Sequence, residues 1–471
     1  MYGKRTLVNE FNINKTNTVD AILIGINRMH IKEINSFKHK LWEKCGIESN
    51  RYHSWDYEQY IRIAIPYLSI LQILYPEGTL FYHFAHEYMG IPSALNVALY
   101  NFDRKKHKTI FYAHEVSPCR AVVEKHPGHD ISFYNIMYKN KAKGKTFEDE
   151  YGSQIDNYRS ELVKKSNDFD YIFAVSDLIK EEYQYFIPGV YEKKLKVVYN
   201  GIPLRYITHD EKMKSRKQLQ EYINNLFNFI PDIIFTHVTR LIGSKGIWRD
   251  ITYLYILDEI FHQHGIKGAY ILLSTLIGRG RCTSDISAME TENDIYSHLS
   301  LFNARSKNIK GIFLNQFGFD RRKCGERVPE DASFIDLRIG SDAEFGFSIY
   351  EPFGIAQLET IPFGGIAALS SSCGCSYLIK KEFQNSFFKP YFIFDFIKGI
   401  KSIKKITNLS SITTDQRFQL EREKFQNTGK AFFNILPKSD SERLGLLDWL
   451  QENLETLGWE NIAGSMNFAS L

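Results

Sequence analysis

The chain has 471 residues, of which 44% are hydrophobic and 24% are charged, and its formal net charge at pH 7 is +4. This length exceeds one ordinary hydrophobic core, so we expect two or three domains. The small net charge is not that of a nucleic-acid-binding protein, and we expect no nucleic-acid partner. We find no signal segment and no apolar stretch long enough to span a bilayer, which indicates a cytoplasmic protein.

The six cysteines are scattered along the chain. Cys373 and Cys375 are close together, but a C-x-C pair without a second cluster is a weak metal signal. We therefore expect two reduced, semi-buried thiols rather than a structural zinc site.

Short apolar runs that are typical of buried strands alternate with helix-length stretches in the first part of the chain. The predicted strands are residues 20–27, 81–85, 109–112, 171–175 and 196–199. Stretches of helix length, such as residues 161–166 and 177–186, lie between them. Strands that alternate with helices predict a parallel, doubly wound α/β sheet.

The same pattern restarts after a charged segment, residues 205–231, which we interpret as an exposed connector. The second set of predicted strands is residues 232–238, 269–274, 312–314 and 367–370, with a long helix at 248–262. The tail is mostly helical and has an amphipathic stretch at 443–457. We thus predict a second α/β unit followed by helices.

The predicted fold class is α/β: two Rossmann-like domains with doubly wound parallel sheets that face each other across a cleft. The predicted domains are an N-terminal domain at 1–228, a C-terminal domain at 229–440, and a helical segment at 441–471 that crosses back onto the N-terminal domain. In such folds ligands bind beyond the carboxyl ends of the strands. Polar clusters follow five predicted strands: His86 and Glu87, His114 and Glu115, Ser176 and Asp177, Asn200 and Gly201, and Arg240.

The stretch EPFGIAQLE at residues 351–359 places two carboxylates eight residues apart around a proline and a glycine. This spacing suits a loop that turns into a helix, with the amides of Gly354, Ile355 and Ala356 free to bind an anion at the helix N-terminus. Glu351 can then reach sugar hydroxyls, and Glu359 can bind a ribose diol. The structural alternative is an ordinary helix with acidic residues near its start.

The stretch RLIGSKG directly after a predicted strand brings Arg240 and Lys245 onto one glycine-bearing loop. Two such cations can clamp a diphosphate and stabilise it as it leaves. A solvated basic loop is the alternative. His86 and His114, each at a strand end, can bind hexose hydroxyls, although a lone histidine is more often a satisfied structural group.

Taken together, these stretches resemble the retaining GT-B glycosyltransferases. EPFGIAQLE resembles their E-x7-E signature, and its GIAQLE half is similar to bacterial glycogen and starch synthases. RLIGSKG resembles the R-L-x-x-x-K-G diphosphate loop of that family, and HEYMG resembles its H-E/D-W-x-x-G segment. FYAHEVSPCRAVVEKHPGHDISFYN, DYIFAVSDLIKEE and VYNGI are similar to segments of eukaryotic-type glycogen synthases. The resemblance covers roughly residues 2–380.

The resemblance implies a role for each matching residue. Arg240 and Lys245 would hold the donor diphosphate, Glu359 its ribose, and Glu351 the transferred sugar. His114 would contact the sugar's 6-hydroxyl. The remaining implied donor-binding residues are His86, Arg120, Asn135, Gly354, Ile355 and Ala356. The resemblance also implies retention by front-face attack, in which a donor phosphate oxygen takes the acceptor's proton, without a protein nucleophile, a cofactor or a metal.

The implied function is transfer of a hexose, glucose in our prediction, from UDP- or ADP-glucose to a glycan, with an α-glucan as the predicted acceptor. The family's K-x-G-G loop is missing from this sequence, which begins at a point that resembles the family's interior. The alternative is therefore an inactive or split synthase homologue that binds glycans. The other expected partner is a second copy of the chain or a chain that supplies the missing loop.

Overall fold

The computed structural model describes residues 2–8, 16–27, 29–190, 192–275 and 292–466. The chain divides into two compact units. Unit 1 comprises Met1–Ala121 and Met137–Val198, and unit 2 comprises Val122–Ile136 and Tyr199–Leu471. The short segment Val122–Ile136 thus leaves unit 1 to join unit 2.

Unit 1 contains a four-stranded parallel sheet with the strand order β3-β4-β5-β6, and a separate antiparallel pair, β1 with β2. The strands are β1 (Tyr2–Val8), β2 (Thr16–Ile22), β3 (Phe81–His86), β4 (His107–Ala113), β5 (Tyr171–Ala174) and β6 (Leu195–Val197). The α-helices before Tyr199 are α1 (Ile31–Cys45), α2 (Trp55–Ala64), α3 (Tyr67–Leu74), α4 (Glu87–Leu99), α5 (Ser117–Lys125), α6 (His129–Lys141), α7 (Phe147–Tyr151), α8 (Tyr158–Lys165) and α9 (Asp177–Phe186).

Four of the five strands predicted in this part of the chain are confirmed as β3 to β6. The prediction of a buried strand at 20–27 is wrong. Strand β2 ends at Ile22, and the side chain of Leu23 is 63% exposed. Only the first three residues of the predicted strand, up to Ile22, belong to β2. The antiparallel pairing ends there, because Ile22 lies opposite Tyr2, the first residue of β1.

Unit 2 contains a six-stranded parallel sheet with the order β12-β11-β10-β7-β8-β9. The strands are β7 (Ile233–Arg240), β8 (Gly268–Thr275), β9 (Ile309–Leu314), β10 (Ala343–Gly346), β11 (Ile366–Ser370) and β12 (Tyr391–Phe394). The α-helices are α10 (His209–Phe227), α11 (Ile247–His264), α12 (Glu292–Arg305), α13 (Arg321–Cys324), α14 (Phe334–Gly340), α15 (Cys375–Phe383), α16 (Thr414–Ile435), α17 (Asp440–Asn453) and α18 (Trp459–Ser465).

The predicted strands and long helix of this unit are confirmed as β7, β8, β9, β11 and α11, whereas β10 and β12 were not predicted. Strand β10 lies in the middle of the sheet, between β7 and β11, but it is only four residues long and carries Glu344. A charged residue in so short a run hides the apolar pattern of a buried strand.

The prediction of an exposed connector at 205–231 is wrong, because most of this segment is α10. A capping box between Thr208 and Glu211 starts the helix. Two of its charged side chains are buried: Lys212 donates to the carbonyl oxygens of Ile339 and Ser341, and Arg216 pairs with Asp342. The partners of both side chains lie more than 120 residues away in the sequence. The local sequence therefore does not indicate that these charged side chains are buried.

The C-terminal helices belong to unit 2. Arg443 on α17 donates to Asp342 with an Nε–Oδ1 distance of 2.7 Å, and Ile202 forms a parallel bridge with Gly458. Within the described residues, no helix has the length and apolar character needed to cross a membrane.

Candidate functional site

The loop after β7 carries both predicted diphosphate-binding cations. Arg240 is the last residue of β7 and is exposed, and a single 3-10 turn, Gly243–Lys245, leads to Gly246 at the start of α11. Gly246 has φ +63°, and a Cβ there would lie 2.5 Å from the carbonyl oxygen of Phe347. Only glycine allows this close approach of two backbone segments.

The loops after β7 and β10 are bonded to each other. Lys245 pairs with Glu351, and the amide of Ile349 donates to the carbonyl oxygen of Ser244 at 2.9 Å. The side chains of Lys245 and Glu351 are 12% and 15% exposed. Because β7 and β10 are adjacent and parallel, this pair lies at the carboxyl edge of the sheet, where ligands of open α/β folds bind.

The loop of Glu351 also rests on the segment after β11. The amide of Gly374 donates to the carbonyl oxygen of Glu351 at 2.8 Å, and that of Cys375 to Phe353 at 2.7 Å. The thiols of Cys373 and Cys375 are fully buried beneath this loop, with their Sγ atoms 3.4 Å apart. In the described part of the chain, no three or more His, Cys, Asp or Glu residues are grouped so that they could hold a metal.

The helix predicted to begin near Gly354 is not an α-helix. Gly354 has φ +96°, and the residues that follow form one 3-10 turn, Ala356–Leu358, with Glu359 directly after it. A second 3-10 turn, Ile361–Phe363, follows with Pro362 in its first turn, so the segment consists of two short turns rather than one α-helix. The amides of Ile355 and Ala356 therefore do not open a long helix, although both residues are partly exposed.

Glu359 is held by an arginine that the sequence did not point to. Arg338 on α14 donates from Nη2 to Glu359 Oε2 at 2.6 Å, and its Nη1 lies 3.0 Å from Glu344 Oε1. The side chains of Arg338 and Glu344 are 1% and 0% exposed, while that of Glu359 is 19% exposed.

A second buried arginine, Arg249 on α11, joins distant parts of unit 2. It donates to Asp130 at 2.6 and 3.0 Å and to Glu421 on α16 at 2.8 Å. These charges raise the pKa of Arg249 above its ordinary value despite its burial. Because Asp130 lies in Val122–Ile136, this network explains why that segment belongs to unit 2.

Asn135, predicted to help shape the donor pocket, lies in the same segment. Its amide nitrogen donates to the carbonyl oxygens of Ile131 and Ile397 at 2.8 and 2.7 Å. The side chain therefore ties the segment to the chain after β12.

The two predicted histidines meet in unit 1, where the Nδ1 atom of His86 lies 2.9 Å from Nε2 of His114 with the rings stacked. Burial, and to a lesser extent His86, lowers the pKa of His114 to about 4, and burial lowers the pKa of His86. Both rings are therefore neutral at pH 7. Arg120 pairs with Glu115 at 2.6 Å.

Glu87, beside these histidines, was noted in the sequence but given no role. It has φ +60°, a strained conformation for a side chain of this size, and its carboxylate accepts from the amide of Glu115 at 2.7 Å. Burial and the nearby Glu115 raise its pKa well above the usual value. The turn around Glu87 is tight, since a Cβ at Gly90 would lie 2.7 Å from the Cα of Ala85.

An apolar groove of about 710 Å³ lies elsewhere in unit 2, between α11, α12 and α16. None of the predicted site residues lines it. The groove therefore does not belong to the site at the carboxyl edge of the sheet.

No protein-family model matches the sequence, and no curated protein matches it. Solved structures with a similar fold include the UDP-forming α,α-trehalose-phosphate synthase of Burkholderia xenovorans in complex with glucose-6-phosphate. It is 12% identical with a TM-score of 0.53, over 100% of this chain and 89% of that chain. A trehalose-6-phosphate synthase studied with bisubstrate glycomimetics is 13% identical with a TM-score of 0.53, over 98% and 89% of the two chains.

The N-terminal domain of Candida albicans trehalose-6-phosphate phosphatase is also similar. It is 12% identical with a TM-score of 0.51, over 87% of this chain and 73% of that chain. At such identities the likeness shows the fold alone, and it is the GT-B fold predicted from the sequence, with two parallel-sheet α/β domains.

Proposed function

We propose that the chain is a retaining glycosyltransferase that transfers glucose from a nucleotide-sugar donor, UDP- or ADP-glucose, to a glycan. The observation that carries the proposal is the ion pair between Lys245 and Glu351 at the carboxyl edge of the unit 2 sheet. Lys245 lies on the loop that follows Arg240, the last residue of β7. The loops that we propose to bind the diphosphate and the sugar are joined at the edge where such folds bind ligands. The GT-B fold shared with trehalose-phosphate synthases supports the same class of reaction.

In this proposal Arg240 and Lys245 bind the donor diphosphate. Negative charge grows on the diphosphate as the glycosidic bond breaks, so fixed cations stabilise the transition state more than the bound donor. Without donor, Glu351 balances the charge of Lys245. With donor, the ammonium is shared between the diphosphate and Glu351, which keeps that carboxylate beside the transferred sugar.

The stretch 351–359 supplies the remaining donor contacts. Glu351 binds hydroxyls of the transferred sugar, and Glu359 binds the ribose diol as an acceptor of two hydrogen bonds. Gly354, Ile355 and Ala356 lie between these two residues in the sequence, and their backbone is proposed to contact the donor. We propose no metal and no cofactor for the reaction.

In unit 1, His114 and His86 are proposed to bind sugar hydroxyls. Both imidazoles are neutral at pH 7 and share one hydrogen bond, between His86 Nδ1 and His114 Nε2. The other nitrogen of each ring can bind a hydroxyl, one as a donor and the other as an acceptor. Arg120 and Asn135 act by holding local structure, through Glu115 and the carbonyl oxygen of Ile397 respectively.

We propose front-face attack for the chemical step. The acceptor hydroxyl approaches the anomeric carbon from the side of the leaving diphosphate, and a phosphate oxygen takes its proton. The new glycosidic bond then keeps the configuration of the one that breaks, and no protein nucleophile is needed. The residues in this proposal bind, orient and stabilise charge.

The acceptor that we propose is an α-glucan, from the resemblance to glycogen and starch synthases. A sugar phosphate is a second candidate, because a structure of the same fold contains glucose-6-phosphate. The test is release of nucleoside diphosphate from UDP-glucose and from ADP-glucose with an α-glucan, with glucose-6-phosphate and with no acceptor.

Release that depends on the α-glucan, with a retained α-linkage in the product, is the expected result. Release that depends on glucose-6-phosphate would replace the glucan. If a folded sample releases nothing with either acceptor, the catalytic proposal fails, and the alternative of an inactive or split homologue that binds glycans takes its place.

A further inference from the structure

We propose that Arg338 is a positioning residue that holds Glu359 in place for the ribose of the nucleotide donor; this inference rests on the proposed function. Arg338 is not part of either predicted motif. It lies on α14, just before β10, and its guanidinium reaches a carboxylate 21 residues further along the chain.

The contacts that hold Arg338 and Glu359 start from Glu344, on the central strand β10 of the sheet. The amide of Val238 on β7 donates to Glu344 Oε1 at 2.7 Å, and the hydroxyl of Thr236 donates to Glu344 Oε2. Glu344 in turn lies 3.0 Å from Arg338 Nη1. A carboxylate fixed by the central strands therefore attracts the guanidinium as an ion pair without a hydrogen bond at Nη1, and the guanidinium holds Glu359 by a hydrogen bond from Nη2.

The exposed fractions of the three side chains increase from the sheet interior to Glu359, the residue proposed to bind the ligand. The Glu344 and Arg338 side chains are 0% and 1% exposed, whereas the Glu359 side chain is 19% exposed. Within the described residues, the Glu359 carboxylate accepts from the Arg338 side chain through Oε2. Because each carboxylate oxygen can accept two hydrogen bonds, Oε1 is open to a ribose hydroxyl.

The chemistry of this group favours a positional role. A buried ion pair is weak evidence for stability, since desolvation offsets much of the attraction. Here one guanidinium serves two carboxylates, and its planar fork can contact both at once. A lysine would keep the positive charge but, as a single point of contact, could not hold both carboxylates in this geometry.

The experiment measures the binding of UDP and ADP, and separately of inorganic diphosphate, by calorimetry. We expect Glu359→Gln to weaken binding of the preferred nucleotide about tenfold, as for loss of hydrogen bonds to a charged group. We expect Arg338→Lys to weaken it several-fold and to leave the binding of inorganic diphosphate, which has no ribose, unchanged. In turnover, Arg338→Lys should raise the KM for donor and leave kcat within about twofold.

Arg443→Lys is the matched control. Arg443 is as buried as Arg338 and pairs with Asp342, but it belongs to α17 and touches none of the proposed donor-binding residues. It should lower stability and leave nucleotide affinity unchanged. Equal loss of nucleotide affinity in Arg443→Lys and Arg338→Lys would show a general structural effect and overturn the inference.

The double variant Arg338→Lys with Glu359→Gln completes the test. If Arg338 acts through Glu359, the double variant binds nucleotide as weakly as Glu359→Gln alone, whereas independent roles give multiplied losses. Normal affinity in Arg338→Lys, with weak binding in Glu359→Gln, overturns this inference alone. Normal affinity in Glu359→Gln, or no binding of either nucleotide by the unsubstituted protein, overturns the ribose assignment of the proposed function as well.

Discussion

Lys245 and Glu351 form an ion pair although 106 residues separate them in the sequence. The pair joins the loop after β7 to the loop after β10, and a backbone hydrogen bond between Ile349 and Ser244 supports it. Two motifs that were recognised separately in the sequence thus form one structure at the carboxyl edge of one sheet.

The first prediction concerns the two cations of this site. Arg240→Ala and Lys245→Ala should each lower kcat by about 10²-fold or more, as for loss of a group that stabilises charge in the transition state. Steady-state release of nucleoside diphosphate measures the effect. The control is Lys267→Ala. Lys267 is an exposed lysine just before β8, at the opposite edge of the sheet, and its substitution should leave kcat unchanged. Normal rates in both site variants would remove the diphosphate-clamp assignment.

The second prediction concerns Gly246, where φ is +63° and a Cβ would meet the carbonyl oxygen of Phe347 at 2.5 Å. Gly246→Ala should lower the free energy of unfolding by about 1–3 kcal/mol and weaken donor binding, since it pushes the two loops apart. Gly265→Ala is matched in backbone conformation, with φ +65°, but a Cβ there meets nothing within 4 Å. Urea unfolding and nucleotide titration of both variants measure the difference. Equal effects would mean that backbone strain alone, and not contact with Phe347, matters.

The third prediction concerns the buried network of Arg249, Asp130 and Glu421. Arg249→Met removes the cation that pairs with buried Asp130 and leaves Glu421 with Arg417 at 3.6 Å, so the free energy of unfolding of unit 2 should fall by about 3–5 kcal/mol. Chemical denaturation measures the change. Arg422→Met, on the exposed face of α16, should lie within about 0.5 kcal/mol of the unsubstituted protein. A loss of less than about 1 kcal/mol in Arg249→Met would show that the network is not needed to hold this segment.

The fourth prediction concerns pH and stability. Burial, followed by the charges of His107 and Arg104, lowers the pKa of His83 from 6.5 to about 4. Between about pH 6.5 and pH 4, His83 therefore binds a proton in the unfolded chain but not in the folded protein. Its contribution to the free energy of unfolding is fully present above about pH 6.5 and is lost as the pH falls toward 4. His114 contributes with the same sign. Urea unfolding as a function of pH should show a shallower decline for His83→Gln, and an unchanged pH dependence would contradict the assignment.

Long apolar strands and loop motifs could be predicted from the sequence because their signals are local. Strand β7 is a run of apolar residues that ends at Arg240, and α11 has a clear helical period after Gly246. The paired histidines, His86 and His114, each follow a recognisable strand. For such features the neighbouring residues carry enough information.

The features that were missed depend on partners far away in the sequence. Arg249 and Arg338 look like ordinary helix-surface residues until Asp130, Glu421 and Glu344 are brought beside them. The same applies to α10, whose buried Lys212 made a packed helix resemble an exposed connector. The turn after Gly354 differs for another reason: 3-10 turns and α-helices share similar local sequence signals, and the segment forms two short 3-10 turns, Ala356–Leu358 and Ile361–Phe363.

The central claim, that this protein binds and uses a nucleotide sugar, is tested most directly by calorimetric titration of the chain with UDP-glucose, ADP-glucose and UDP. We predict heat of binding with one of the two bases, and its loss in Arg240→Ala. No heat with any of the three, from a sample shown to be folded by circular dichroism, would contradict the claim and leave the inactive or split homologue as the account of this chain.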